Sequence, residues 1–140
     1  MDINGGGQIT AVGHDEMIDA ALAAHESWKH RLRAAIETGT CEISVDTAAL
    51  DDQCAFGRWL VDGVPWRARK SWDYTNVKRL HAAFHQEAAR VLHLAVNGMT
   101  REAVVAMTNS TPFAAASERL GYALMDWRQR IDAQAEGLRP

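Results

Sequence analysis

The sequence predicts an all-α protein, an antiparallel four-helix bundle with an additional short helix. Three observations carry this. Apolar residues recur every three or four positions over long stretches, which is the period of a helix with one buried face. Short breaks containing glycine or proline separate these stretches. No run shows the strict apolar–polar alternation of a strand. Short connections between amphipathic helices of similar length favour antiparallel neighbours in a bundle.

Residues 1–13, MDINGGGQITAVG, are small, polar and glycine-rich, and read as a flexible lead. The helical domain is expected over 14–135. Its first helix opens at His14 or Asp15 and runs to about Thr38, with Gly39 as its cap. The apolar stripe is Ile18, Ala21, Leu22, Trp28, Leu32, Ala35 and Ile36, and His25 stands on it. A connector over 39–46 offers Ser44 or Asp46 as an N-cap. A second helix is expected over about 47–61, with Leu50, Cys54, Gly57 and Leu60 or Val61 facing inward. Asp62-Gly63-Val64-Pro65 breaks it. The segment WRARKSW, 66–72, reads as a short basic turn. Packing against the bundle end is the expected role of Trp66 and Trp72, whereas exposure would mark a partner surface.

A third helix runs from about Asp73 to Val96, with Val77, His81, Phe84, Ala88, Val91 and Ala95 on its stripe and Asn97-Gly98 as its stop. A short helix follows over about 100–108. Thr111-Pro112 then supplies a cap followed by proline at the first helical position. The last helix, about 112–134, shows Phe113, Ala116, Leu120, Leu124, Trp127 and Ile131.

The chain has 140 residues, is 47% apolar and carries a net charge of -3. That length suits one domain. The charge provides no basic footprint for nucleic acid. No apolar run reaches the 18 residues of a membrane span, and no signal peptide is visible. Two cysteines make no disulfide framework. A cytoplasmic location is the simplest expectation.

Four polar side chains fall on otherwise apolar faces: His25, Cys54, His81 and His85. Taken singly, a buried histidine is usually a hydrogen-bonded structural residue and a buried cysteine a small hydrophobe. Taken together they need a common reason, because an unpaired polar group in the core costs about 1–3 kcal/mol. His81 and His85 lie one helical turn apart on one face. Three imidazoles and a thiolate make a tetrahedral set for Zn²⁺. His14, His30 and His93 lack such support, and Cys41 reads as a plain thiol.

The same residues resemble the chemoreceptor zinc-binding (CZB) domain family. His25 with Trp28-Lys29 resembles its HxxWK motif. Cys54-Ala-Phe-Gly57-Arg-Trp59-Leu60 resembles its CxxGxWL, and His81-Ala-Ala-Phe84-His85 its HxxFH. The resemblance implies a zinc site of His25, Cys54, His81 and His85. It also implies a cytoplasmic bacterial regulatory module, often homodimeric, attached to a chemoreceptor, a diguanylate cyclase or another signalling output domain. These 140 residues hold no signalling partner domain, and an excised domain and a free-standing member are both open expectations. Trp28, Gly57, Trp59 and Phe84 are expected around the ligands as packing. Gly57 would permit a close approach.

Four protein ligands leave no position for a substrate water, which argues against an enzyme. Zinc-responsive regulation is the first expectation, with Cys54 as a candidate redox sensor and hypochlorous acid as a candidate oxidant. A structural zinc in an interaction module, or a metalloenzyme with one exchangeable ligand, are the alternatives. Against the latter, Glu26 and Glu87 are the only carboxylates beside candidate ligands, and neither sits on a stripe.

Overall fold

The computed structural model describes the backbone of residues 2–137 and the side chains of 13–133. The helices are α1 (Asp2–Thr38), α2 (Val45–Ala48), α3 (Ala55–Arg58), α4 (Trp72–Val96), α5 (Thr100–Ala106) and α6 (Pro112–Gly137). A π-helical turn, Trp59–Gly63, continues α3, and a 3₁₀ turn, Ala68–Lys70, precedes α4. All elements among the described residues are helical, as expected. α1 begins at Asp2, ahead of the expected start at His14 or Asp15. The side chains of 1–12, most of the expected lead, lie outside the described residues.

The long helices follow from their stripes. Ile18, Leu32 and Ala35 of α1 are buried against Val77, Phe84, Ala88, Val91 and Ala95 of α4 and Phe113, Leu120, Leu124 and Trp127 of α6. Each fully buried Leu or Ile contributes about 1.5–3 kcal/mol relative to an exposed one. Cross-helix ion pairs give the directions. Arg128 near the end of α6 meets Asp19 near the start of the packed part of α1, at 2.8 Å. Arg130 meets Asp73 at the start of α4, at 3.3 Å. α6 is therefore antiparallel to both α1 and α4, and α1 and α4 run the same way.

That topology obliges residues 39–71 to travel back along the bundle. Ala48 lies beside His85, Cys54 beside His81, and Leu60 beside Tyr74, so the segment descends α4 in reverse order. It occupies the place of the second bundle helix. The expected continuous helix over 47–61 is corrected, because it breaks between α2 and α3. Asp51 and Asp52 favour local turn conformations over a helix interior. The last carbonyls of this stretch are taken by α4: His85 Nδ1 bonds Ala48 O at 2.9 Å and Gln86 Nε2 bonds Ala49 O at 3.3 Å. Leu50, placed on the inward stripe by periodicity, is 48% exposed, and Val61 is exposed as well.

The ends are chemically explained. Ser44, Ser71 and Thr111 cap α2, α4 and α6 by accepting from the amides of Thr47, Tyr74 and Ala114. Gly39 closes α1 at φ 76°, the left-handed conformation that glycine adopts without strain. Trp66 and Trp72 depart from the packing role expected of them: they are 62% and 69% exposed. Lys70 Nζ lies 4.6 Å from the Trp66 ring centre.

Candidate metal centre

His81 and His85 project from α4 on one face, and both are buried. Cys54 arrives from the return segment. It is the N-cap of α3, in extended backbone conformation, and not a mid-helix residue as the stripe suggested. Its sulfur accepts a hydrogen bond from the Gly57 amide at 3.3 Å. This contact explains the glycine. A Cβ at Gly57 would lie 2.8 Å from the Asp51 carbonyl carbon and collide with the carbonyl oxygen. The loop can fold over its own sulfur only because position 57 has no side chain.

Cys54 Sγ lies 3.4 Å from His81 Nε2 and 3.6 Å from His85 Nε2, and the two Nε2 atoms are 3.1 Å apart. Tetrahedral zinc with Zn–N near 2.0–2.1 Å and Zn–S near 2.3 Å sets N···N edges of about 3.3 Å and N···S edges of about 3.6 Å. The three atoms therefore already stand at the spacing of one face of a zinc tetrahedron. Among the described residues, Cys54, His81 and His85 form a cluster with ligand atoms within 4.8 Å of one another.

The protonation chemistry suits ligation. His85 Nδ1 donates to the Ala48 carbonyl, which leaves its Nε2 lone pair for a metal. Burial pushes the His81 pKa down to about 3 and that of His25 down to about 4; nearby His85 adds to the first, Lys29 to the second. Burial also lowers His85, partly offset by its bond to Ala48. At neutral pH all three rings are neutral, the form that binds a metal.

His25 is also buried, at 6% exposure, on α1. It lines the same small cavity as Cys54, His81 and His85, of about 90 Å³, but is not a member of their close cluster. Its Nε2 is a buried polar atom with no hydrogen-bond partner, as is His81 Nδ1. An orphaned imidazole nitrogen beside three converging ligands is what a fourth ligand leaves when no metal satisfies it. The donor set, one thiolate and imidazoles in an apolar pocket, fits zinc.

Phe84 packs edge-on against His25, with ring centres 4.4 Å apart, and also touches His85. Trp28 lies edge-on to His85 at 6.0 Å. Trp59 is farther away, packing on Phe56 and on Trp127 of α6. Sequence reasoning passed over Phe56, which meets His81 edge-on at 5.2 Å, and Ala48, whose backbone carbonyl orients His85. A carbonyl leaves no trace in residue identity. Sequence reasoning also left out His14, which sits in the aromatic cluster of Trp59 and Trp127, away from the ligands.

No curated protein and no solved structure matches the chain. The match that exists is to a domain family, and it begins at His25 and ends beyond His85. Residues 25–92 match the family model of the chemoreceptor zinc-binding domain.

Proposed function

We propose that this protein is a zinc-binding sensory domain, non-catalytic, in which His25, Cys54, His81 and His85 hold one Zn²⁺. The observation that carries the reading is the spacing of Cys54, His81 and His85, which matches a zinc tetrahedron within a stretch that matches the model of a zinc-binding family. His25 supports it through its orphaned nitrogen in the shared cavity. With four protein ligands the metal retains no position for substrate. The site then acts by tying α1 to α4 and to the return segment, and metal loss loosens that tie.

Cys54 gives the site a second input. Two-electron oxidation of its thiolate by hypochlorous acid yields a sulfenic acid and chloride, and a sulfenic acid is a poorer zinc ligand. The output is a homodimer rearrangement or a signalling partner in the cytoplasm. Among the described residues no helix is long and apolar enough to cross a membrane.

The test is zinc stoichiometry by elemental analysis, with cobalt substitution to read the ligand field, followed by hydrogen exchange along α1 with and without chelator. One four-coordinate N₃S metal per chain and faster α1 exchange after chelation are expected. Failure to bind zinc would end the proposal, and unchanged exchange would reduce the metal to a structural role.

A further inference from the structure

The four expected ligands are not equivalent. Cys54, His81 and His85 are held by one interlocked unit. His81 and His85 share a helix, His85 is fixed through the Ala48 carbonyl of the return segment, and the Cys54 sulfur is fixed through the Gly57 amide. Their ligand atoms already sit at metal-binding spacing. His25 comes from a different helix and stands outside that cluster.

His25 also has open space on two sides. It lines the small cavity of about 90 Å³ shared with the other three ligands. It equally lines a groove of about 490 Å³ between α1 and α6, whose wall carries both signs of charge, Glu26 and Glu118 with Lys29 and Arg33. The imidazole is thus part of the partition between the ligand cluster and the groove. Turned inward it completes a tetrahedron; turned outward it leaves the metal with three protein ligands and room for a fourth from solution.

Resting on the zinc-binding reading above, we infer that His25 is the exchangeable ligand: the metal loads first onto Cys54, His81 and His85, and His25 closes the site last and leaves it first. The coupling of metal to α1 therefore passes through this one imidazole. A small neutral or anionic donor entering by the groove can replace it without displacing the metal.

Zinc and cobalt titrations of His25→Ala, His81→Ala and the unaltered chain test this, with His25→Gln as a second variant to control for packing. His25→Ala is expected to keep one metal per chain at about 100-fold weaker affinity, with water in place of one imidazole. Its cobalt form keeps the thiolate charge-transfer band, and added free imidazole restores the unaltered spectrum. His81→Ala should bind at least about tenfold more weakly again. Equal loss in His25→Ala and His81→Ala would overturn the order of loading, and an unaltered spectrum in His25→Ala would overturn its role as a ligand. Absence of metal binding by the unaltered chain would instead overturn the parent reading.

Discussion

Replacing Gly57 with alanine is the sharpest perturbation of the site that leaves every ligand in place. The added methyl would lie 2.8 Å from the Asp51 carbonyl carbon, in collision with its oxygen. Non-bonded carbon atoms rest at about 3.5–4.0 Å, so the two sides of the loop must separate by roughly 1 Å. The obstacle is backbone, which cannot swing aside as a side-chain tip can. The Cys54 sulfur is bonded to the Gly57 amide, so it moves with the loop. Metal–ligand distances tolerate only about 0.2 Å, and the displacement exceeds this several-fold. The expected result is at least a tenfold loss of zinc affinity, measured by competition with a chromophoric chelator, and a weakened cobalt–thiolate band. Overpacking should also cost about 1–3 kcal/mol in denaturant unfolding. Gly121→Ala is the internal control. A Cβ there meets nothing within 4 Å, so zinc binding should be unchanged and stability should rise by about 0.5–1 kcal/mol. Wild-type zinc affinity in Gly57→Ala would refute the argument that the close approach at residue 57 positions the sulfur.

Cys54→Ser keeps a side chain able to cap α3, whereas Cys54→Ala does not; both should lose zinc affinity, but in chelator only the alanine variant should be less stable, by about 1 kcal/mol in urea unfolding. The metal-free protein should lose stability as pH falls below 6.5. Its buried histidines resist protonation while those of the unfolded chain accept it, at about 1.4 kcal/mol per pH unit per histidine down to a folded value of about 4 for His25 and about 3 for His81, readable from unfolding midpoints. Stability that stays flat between pH 6.5 and 4.5 would contradict the burial of these rings. Leu60→Ala should cost about 2–5 kcal/mol and Leu50→Ala under about 0.5 kcal/mol, although the two residues were expected on one stripe; equal costs would restore a continuous second helix.

The long helices were legible because a stripe repeated over six or seven turns is hard to imitate by chance. α4 shows this best: Val77, His81, Phe84, Ala88, Val91 and Ala95 are all buried as their spacing demands. The return segment was not legible, because helices of four residues complete barely one turn and periodicity cannot distinguish a helix from a turn over that length. Cys54 was nonetheless placed inward, since caps and stripes both turn their side chains to the core here. His25 shows a different limit. A stripe sets the direction in which a side chain leaves its helix but not its distance from residues on another, so the separation of His25 from the cluster is a tertiary fact. Trp66 and Trp72 were expected to pack against the bundle end, yet both rings are exposed on either side of the 3₁₀ turn.

The order in which the return segment meets α4 has a consequence for how the chain is assembled. Cys54 and His85 are separated by 31 positions in sequence, with His81 between them. A metal bound to these three closes a loop of about that length, and a cross-link over about 30 residues removes roughly 4 kcal/mol of chain entropy from the unfolded ensemble. The piece it closes contains α3 and the first half of α4, and requires neither α1 nor α6. α6 follows this hairpin in the sequence and so emerges after it during synthesis. Zinc can then act as a template on a partial chain, with the rest of the bundle condensing around a site already formed.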